Sequence, residues 1–228
     1  MTVRTMVEAI HQALGQEMER DERVMILGED VGRLGGVFRA TDGLQARFGP
    51  ERVFDTPLAE AAIVGTAVGL AMSGLRPVAE VQFLGFAHQA FHQIADQVAR
   101  YAFRSQGRYP MHITIRAPFG GGVRTPELHS DALEAQFVHC PGLKVVMPAS
   151  AYDAKGLLLE AIRDPDPVLF CEPLRGYRLV KDEVPDEDYT VPFGQARITR
   201  EGSDVTLVAW SAAVQLSERA AVRAQEEG

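Results

Sequence analysis

Glu60 is the residue with the clearest chemical potential in this sequence. It lies in the first turn of a predicted helix, 58–72, whose other residues are almost all apolar. Burying an unpaired carboxylate is costly, so such a group is neutral, bound to N–H groups at the helix start, or paired with a ligand. Two interpretations stay open from the spacing alone. Glu60 either complements the helix dipole or is a desolvated acid that exchanges a proton with a bound heterocycle.

His129 and Phe86 are the next candidates. His129 ends the Gly- and Pro-rich segment 118–128 and precedes Ser130, which we predict to be the N-cap of a helix that runs through Phe137. A His on a loop at the edge of a parallel sheet lies where α/β enzymes place their chemistry, although surface and hydrogen-bonding roles are commoner. Phe86 follows a strand and a glycine, so its ring either projects from the strand end or fills the core.

Three other patterns argue against alternative chemistries. His88, His92 and Asp96 share one helical face, but no general base stands between the two His, which disfavours a zinc site. The glycines at 120–122 lack the Lys-Ser/Thr that follows in a phosphate-binding loop. The chain also contains no Gly-x-Ser-x-Gly, which weakens a hydrolase.

Short apolar segments alternate with longer helical ones and must position these residues. This order predicts an α/β fold, with a mostly parallel sheet covered by helices on both faces. Thr5 and Glu8 form a capping box at the start of an amphipathic helix. The helix over 58–72 lacks a polar face, so we expect it to be buried all round. The predicted strands are 23–27, 77–83, 111–116, 144–147 and 168–171, and the other predicted helices are 87–102 and 152–162.

Length and composition describe a globular protein. The chain has 228 residues, 46% of them hydrophobic, which suffices for one sizeable core without disulfides. The acidic stretch 182–188 predicts a linker, 204–210 a strand and 212–226 a helix. One strand and one helix cannot bury their own apolar faces. We therefore expect a complete domain over 1–185, followed over 186–228 by a linker and the truncated start of a second α/β domain.

Charge and cysteine usage exclude several classes of partner. The net charge is −8 and no Lys/Arg cluster occurs, so nucleic acid and anionic membranes are disfavoured as partners. No apolar run reaches the length of about 18 residues that a membrane helix needs, and the N-terminus has no apolar signal core. Two cysteines without metal-ligand spacing fit a reducing compartment. We expect a cytoplasmic protein.

Six blocks, in order along the chain, resemble one family. It is the beta subunit of the thiamine diphosphate-dependent decarboxylase component of 2-oxo acid dehydrogenase complexes, whose first domain is a transketolase-like pyrimidine-binding domain. The blocks are 27–31, 35–38, 55–63, 74–80, 139–146 and 152–157.

The resemblance implies a role for each candidate residue. Glu60 matches the Glu that contacts the aminopyrimidine ring of the cofactor and exchanges a proton with it. Phe86 matches the aromatic residue that stacks on the pyrimidine, and His129 matches the His that acts when the acyl group passes to a lipoyl arm. Family members also hold a potassium ion near the cofactor site, and the matching positions are Ile113, Ala161, Ile162, Asp164 and Asp166.

The composition adds a constraint on the cofactor site. Related enzymes hold the diphosphate and its magnesium ion with a Gly-Asp-Gly segment and a later Asn-Asn, whereas this chain contains no Gly-Asp-Gly and no Asn. The resemblance therefore implies that thiamine diphosphate is shared with an alpha subunit, which holds the magnesium. An α2β2 heterotetramer is expected, and the chain alone should be catalytically silent.

The resemblance implies a substrate class and a downstream partner. The segments 83–86 and 120–130 look more like the pyruvate-type than the branched-chain subunits, so pyruvate is the expected 2-oxo acid. The acyl group would pass to the lipoyl domain of a dihydrolipoyl acyltransferase core. A branched-chain substrate, a non-catalytic interaction subunit and a sugar transketolase-like protein remain alternatives.

Overall fold

The computed structural model describes residues 1–122 and 124–227, and these contain eight strands and eight α-helices. The strands are β1 (Thr2–Thr5), β2 (Val24–Gly28), β3 (Val53–Asp55), β4 (Arg76–Glu80), β5 (Thr114–Phe119), β6 (Lys144–Val146), β7 (Val168–Pro173) and β8 (Lys181–Val184). The α-helices are α1 (Met6–Arg20), α2 (Leu44–Phe48), α3 (Glu60–Met72), α4 (Tyr101–Arg104), α5 (Glu134–Phe137), α6 (Ala151–Arg163), α7 (Gly176–Leu179) and α8 (Ala212–Glu227).

Six parallel strands form the central sheet, in the order β3-β2-β4-β5-β7-β6. Alternate side chains of a strand point to opposite faces, and the sheet has one hydrophobic core on each face. Ile26 packs in the core that also contains α1 and α6, whereas Leu27 packs in the core that contains α3. The predicted α/β fold, with helices on both faces of a mostly parallel sheet, is confirmed.

The capping box predicted at the start of α1 is formed. The Thr5 backbone N–H donates to Glu8 Oε2 over 2.7 Å, and the Glu8 N–H donates to Thr5 Oγ1 over 3.4 Å. These bonds satisfy N–H groups that have no partner within the helix. The Thr5 hydroxyl also donates to Glu8 Oε2 over 2.7 Å, and this bond, together with that from the Thr5 N–H, holds the pKa of the Glu8 carboxyl below its usual value.

The expectation that the 58–72 helix is buried all round is wrong for this chain. Ile63, Val64 and Ala67 are buried against the sheet side, but Ala62 and Thr66 are exposed. A helix presents only part of its circumference to one sheet. The outer face of α3 carries small side chains and is left open.

The helical segment after β4 is irregular. A 3-10 helix spans Leu84–Ala90 and a π-helix spans Gln93–Val98, where a regular helix was predicted over 87–102. At Gly85 an added Cβ would lie 2.0 Å from the carbonyl oxygen of Leu128. Only glycine allows these two backbones to approach so closely.

The segment 182–188 is more ordered than a linker. β8 pairs antiparallel with β1, and the side chain of Lys155 donates to the Glu187 carbonyl over 2.9 Å. Asp186 accepts a hydrogen bond of 2.5 Å from Arg4. Both strands are short and polar, so they lack the apolar alternation that marks a strand in sequence.

The predicted strand over 204–210 is not formed within the described residues. This stretch is irregular and mostly exposed, and α8 follows it. A strand needs a neighbour for its backbone hydrogen bonds, and none lies beside this one. No helix in the described ranges is long and apolar enough to cross a membrane.

Candidate active site

The candidate site lies at the carboxyl edge of the sheet. Gly28, Asp55 and Glu80 are in register at the ends of three adjacent strands, so the segments that follow these strands begin side by side. Loops at the carboxyl ends of parallel strands are where α/β proteins bind ligands. Glu60 follows β3, Phe86 follows β4 and His129 follows β5.

Three packed helical elements carry the three candidate residues. α3, which begins at Glu60, packs against the 3-10 helix that contains Phe86. That 3-10 helix packs in turn against the short 3-10 turn Glu127–His129. The fold therefore brings together residues that are 69 positions apart in the sequence, from 60 to 129.

Glu60 is buried and only partly satisfied. The residue is 4% exposed at the first position of α3, and Ala59, the N-cap residue, makes no side-chain hydrogen bond. The Oε2 atom of Glu60 is buried without a hydrogen-bond partner among the described residues. A buried acceptor without a partner is costly, so its presence favours the interpretation of Glu60 as a ligand-binding acid.

A second acid, Glu29, lies beside Glu60. Burial raises the pKa of the Glu29 carboxyl, and the negative charges of Asp30 and Glu60 raise it further. Like charges in a partly buried site favour the protonated form. In the sequence, Glu29 was noted only as part of the family-like block 27–31 and was not a candidate site residue.

His129 lies between two phenylalanine rings. Its ring centroid is 4.9 Å from that of Phe86, with the planes at 80°, and 4.6 Å from that of Phe83, with the planes at 65°. The Nδ1 atom of His129 is buried and has no hydrogen-bond partner among the described residues. The imidazole is therefore held by ring packing within the described residues.

The predicted capping role of Ser130 is wrong. α5 begins at Glu134, four residues later, and its N-cap is Leu133. The Ser130 N–H instead donates to the carbonyl of Glu127, which closes the 3-10 turn that carries His129. Part of the same loop motif, Val123, lies outside the described residues.

A buried charge cluster lies just below the site. The Arg116 guanidinium donates to Glu172 over 2.7 and 2.8 Å and to Glu80 over 2.5 Å, and the Tyr177 hydroxyl donates to Glu172. Burial raises the pKa of the Glu80 carboxyl, and burial together with the Glu172 charge raises the pKa of Tyr177 well above its usual value. Sequence reasoning missed this cluster.

The five residues proposed for potassium lie at the amino edge of the sheet, where the parallel strands begin, and the candidate site lies where the strands end. Ile113 precedes β5, and the remaining four lie at or just after the end of α6, before β7. The Lys144 ammonium binds both oxygens of Asp164 over 2.7 Å and lies 3.2 Å from Asp166. These positions lie at the end of the strands away from Glu60, and the expectation of a potassium ion there stays a prediction.

The three residues with zinc-like spacing do not face one point. His92 Nδ1 lies 3.1 Å from Asp96 Oδ2, whereas His88 Nε2 lies 3.1 Å from Gln136 Oε1. Within residues 1–122 and 124–227, no group of three or more His, Cys, Asp or Glu side chains has the arrangement of a metal site.

The fold and this site together define a transketolase-type pyrimidine-binding domain. Residues 3–179 match the family model described as the transketolase, pyrimidine binding domain. A solved split-gene transketolase, described as an inactive beta4 tetramer, aligns over 98% of this chain and 68% of its own. The alignment has a TM-score of 0.77 and 25% sequence identity.

Curated relatives narrow the assignment. The pyruvate dehydrogenase E1 component subunit beta of Staphylococcus epidermidis is 53% identical over 228 residues, which is 100% of this chain and 70% of that protein. The subunit of the same name from Bacillus subtilis is 51% identical over the same shares. The chain belongs to the family of pyruvate dehydrogenase E1 beta subunits.

Proposed function

We propose that this chain supplies the pyrimidine-side half of a thiamine diphosphate site and, with an alpha subunit, decarboxylates pyruvate. The observation that carries this proposal is the buried Oε2 atom of Glu60, which has no partner among the described residues and lies at the carboxyl edge of the sheet. Similarity to relatives named pyruvate dehydrogenase E1 subunit beta supports the reaction class.

The residues present fit this cofactor. A ring nitrogen of an aminopyrimidine would complete the hydrogen bonding of Glu60, and Phe86 is half-buried, with a ring available for stacking. When bound, thiamine diphosphate supplies an electron sink for decarboxylation. Glu60 would hold and release a proton at the ring nitrogen through its buried Oε2 atom.

His129 is proposed to act in the transfer of the acyl group to a lipoyl arm. Its Nδ1 atom is buried without a partner, and its ring contacts that of Phe86, so it lies close to where the cofactor ring would stack. A lipoyl domain of a dihydrolipoyl acyltransferase core would deliver that arm. His is the side chain best suited to proton transfer near neutral pH.

Pyruvate is the proposed 2-oxo acid. The relatives that match at 51–53% identity over the whole chain carry pyruvate in their names, and a branched-chain substrate is not favoured. Substrates that differ by a methylene are discriminated only modestly by an apolar pocket, so direct comparison of the two acids is informative.

An alpha subunit is proposed to hold the magnesium ion and the diphosphate, in an α2β2 heterotetramer. The chain has no Asn and no Gly-Asp-Gly with which to bind them. The solved split-gene transketolase that it resembles is described as an inactive tetramer of beta chains, which supports a chain that is silent by itself. The cytoplasmic location remains a prediction.

A potassium ion is proposed at the amino edge of the sheet, held by carbonyls near Ile113, Ala161 and Ile162 and by Asp164 and Asp166. The residue four positions after Ala161 is Pro165, which has no N–H to bind the Ala161 carbonyl as a helix would. Carbonyl and carboxylate oxygens are hard ligands that suit a hard cation. Lys144 binds Asp164 and Asp166 in this structure, and Arg76 donates to the Ile162 carbonyl, so the ion would replace these cations. Such an ion would be structural, because this edge lies away from Glu60.

The domain division remains part of the proposal. The family match ends at residue 179 and the last strand ends at Val184, which supports a pyrimidine-binding domain over 1–185. Residues 186–228 would begin a second domain. The irregular segment 204–210 would then become a strand once neighbouring strands are present.

Reconstitution tests the proposed function. The chain is mixed with its alpha subunit, thiamine diphosphate and magnesium, and carbon dioxide release is followed with pyruvate and with 2-oxoisovalerate. We expect turnover that needs both subunits and is faster with pyruvate. A complex that assembles but turns over neither acid would refute the proposal, and equal activity of the alpha subunit alone would indicate a non-catalytic interaction subunit.

A further inference from the structure

Three backbone hydrogen bonds occur in the described part of the loop that carries His129, one of them from the Ser130 N–H to the Glu127 carbonyl. Within the 3-10 turn the His129 N–H donates to the Pro126 carbonyl over 3.0 Å, and the Gly120 N–H donates to the Asp131 carbonyl over 3.0 Å. The imidazole nitrogen Nδ1 makes no hydrogen bond within the described residues. The orientation of the ring must therefore come from the side chains packed against it.

Phe83 is the centre of those contacts. It is 6% exposed, and its ring lies 4.6 Å from the ring of His129, 5.5 Å from that of Phe86 and 5.5 Å from that of Phe38, all edge to face. Edge-to-face contacts have a preferred geometry, so a ring bounded on three sides has little freedom to tilt. Phe83 lies three residues after the end of β4 and is the N-cap residue of the 3-10 helix, where its carbonyl accepts a hydrogen bond of 2.9 Å from the Phe86 N–H.

A series of side-chain contacts connects Phe83 to the buried charge cluster of the core. Phe38 contacts the ring of Tyr177 at 5.4 Å, and the Tyr177 hydroxyl donates to Glu172. Glu172 is bound by both Nε and Nη2 of Arg116, and all atoms of this pair are buried. Buried bidentate pairs hold a fixed geometry. A continuous set of contacts thus joins the charge cluster of the core to the imidazole.

We propose that Phe83 is a positioning residue for His129, held in place by Phe38 and by the Tyr177–Glu172–Arg116 cluster. The proposal rests on the proposed role of His129 in acyl transfer. Phe83 itself does not touch the reacting atoms. It sets the angle at which the imidazole meets the lipoyl arm, so its loss should slow acyl transfer more than decarboxylation.

Two half-reactions separate positioning from general damage. In the reconstituted holoenzyme, decarboxylation is followed with ferricyanide as electron acceptor, and acyl transfer is followed by mass spectrometry of an added lipoyl domain. Phe83→Leu keeps an apolar side chain but removes the ring. Because a displacement of about 1 Å can cost on the order of a hundredfold, we expect acyl transfer to fall about tenfold or more relative to the ferricyanide rate. Equal losses, or none, would overturn the proposal.

Matched variants test the specificity of the effect. Phe48→Leu removes a partly buried ring that lies outside this cluster and should leave the ratio of the two rates unchanged. Phe83→Met is a second variant of similar volume, used if Phe83→Leu does not assemble. Tyr177→Phe removes only the hydroxyl bond to Glu172 and should shift the ratio in the same direction, by a smaller factor.

A double variant and a spectroscopic measurement separate this proposal from the proposed function. If Phe83 acts through His129, Phe83→Leu should have no further effect on acyl transfer in a His129→Ala background, whereas multiplied losses would overturn the proposal. Histidine-selective NMR of the holoenzyme should show the His129 signal shifted in Phe83→Leu but not in Phe48→Leu. An unshifted His129 signal would refute the positioning role of Phe83 but not the role of His129. Unchanged acyl transfer in His129→Ala would refute the role of His129.

Discussion

The two edges of the central sheet differ in how their polar groups are satisfied. At the amino edge the carboxylates are paired: Asp21 accepts hydrogen bonds of 2.9 and 2.7 Å from Arg23, and Asp164 binds the Lys144 ammonium. The Arg76 Nε atom at this edge makes no hydrogen bond among the described residues, but it lies 3.5 Å from the Asp21 carboxylate. At the carboxyl edge, Glu60 Oε2 and His129 Nδ1 are buried and lack partners among the described residues.

This difference separates stability from function. A polar group whose partner lies within the same chain contributes to folding, whereas a buried group without a partner costs folding free energy and persists where a ligand completes it. Substitutions at the amino edge should therefore change stability and leave turnover in the assembled enzyme. Substitutions of the unsatisfied groups at the carboxyl edge should lower turnover and leave stability largely unchanged.

The largest expected effect on stability comes from Arg116. This residue sharpens the comparison of the two edges, because it lies below the carboxyl edge but its guanidinium is paired with Glu80 and Glu172 of the same chain. Arg116→Met leaves Glu80 and Glu172 buried without their counter-charge, and we expect a loss of about 3–5 kcal/mol in the free energy of unfolding. Urea denaturation measures this free energy of unfolding. The exposed Arg33→Met is the control, and a change below about 0.5 kcal/mol in Arg116→Met would contradict the assignment.

The next effect is a pH dependence at the amino edge. Hydrogen bonds from Arg23 lower the pKa of Asp21 from 3.8 to about 2. A lowered pKa in the folded state means that the stabilisation is present above pH 4 and is lost as the pH falls towards 2. We expect roughly 2 kcal/mol from this linkage, measured as urea midpoints from pH 6 to pH 2.

Asp21→Asn provides the comparison for that measurement. The variant should start less stable at pH 6 and should lose less stability on acidification than the wild type. Identical pH profiles for the two chains would show that Asp21 does not carry the effect.

The smallest effect is expected for Lys144. Its ammonium pairs with Asp164 and Asp166, but the side chain is 40% exposed, so Lys144→Met should lower the free energy of unfolding by only about 0.5–1 kcal/mol. Pyruvate turnover in the reconstituted enzyme should be unchanged. Lys181→Met is an exposed control, and a large loss of turnover in Lys144→Met would place the amino edge within the active site.

The sequence predicted α1 and five of the six strands of the central sheet, because apolar runs and the Thr5–Glu8 capping box are local signals. It missed β3, which has only three residues. It missed β1 and β8, which are short and polar and are defined only by their pairing across the whole domain. It also assigned a strand to 204–210, where apolar alternation occurs without a neighbouring strand in the described chain.

The residues of the site were likewise predicted where the sequence carries a local signal and missed where it does not. Glu60, Phe86 and His129 were candidates from their positions in the chain, the resemblance implied a role for each, and the structure brings their elements together. Arg116, Glu80 and Glu172 come from three different strands, and no pattern along the chain links them. Phe83 was missed because an aromatic residue beside a strand is typical of any core.

The most direct test of the central claim measures proton exchange in the reconstituted holoenzyme. The exchange of the thiazolium C2 proton of bound thiamine diphosphate with deuterium is followed by quench and NMR in the wild type, in Glu60→Gln and in the exposed control Glu51→Gln. We expect Glu60→Gln to assemble and bind the cofactor but to exchange at least about a hundredfold more slowly, with the control unchanged. Wild-type exchange in Glu60→Gln would contradict the account.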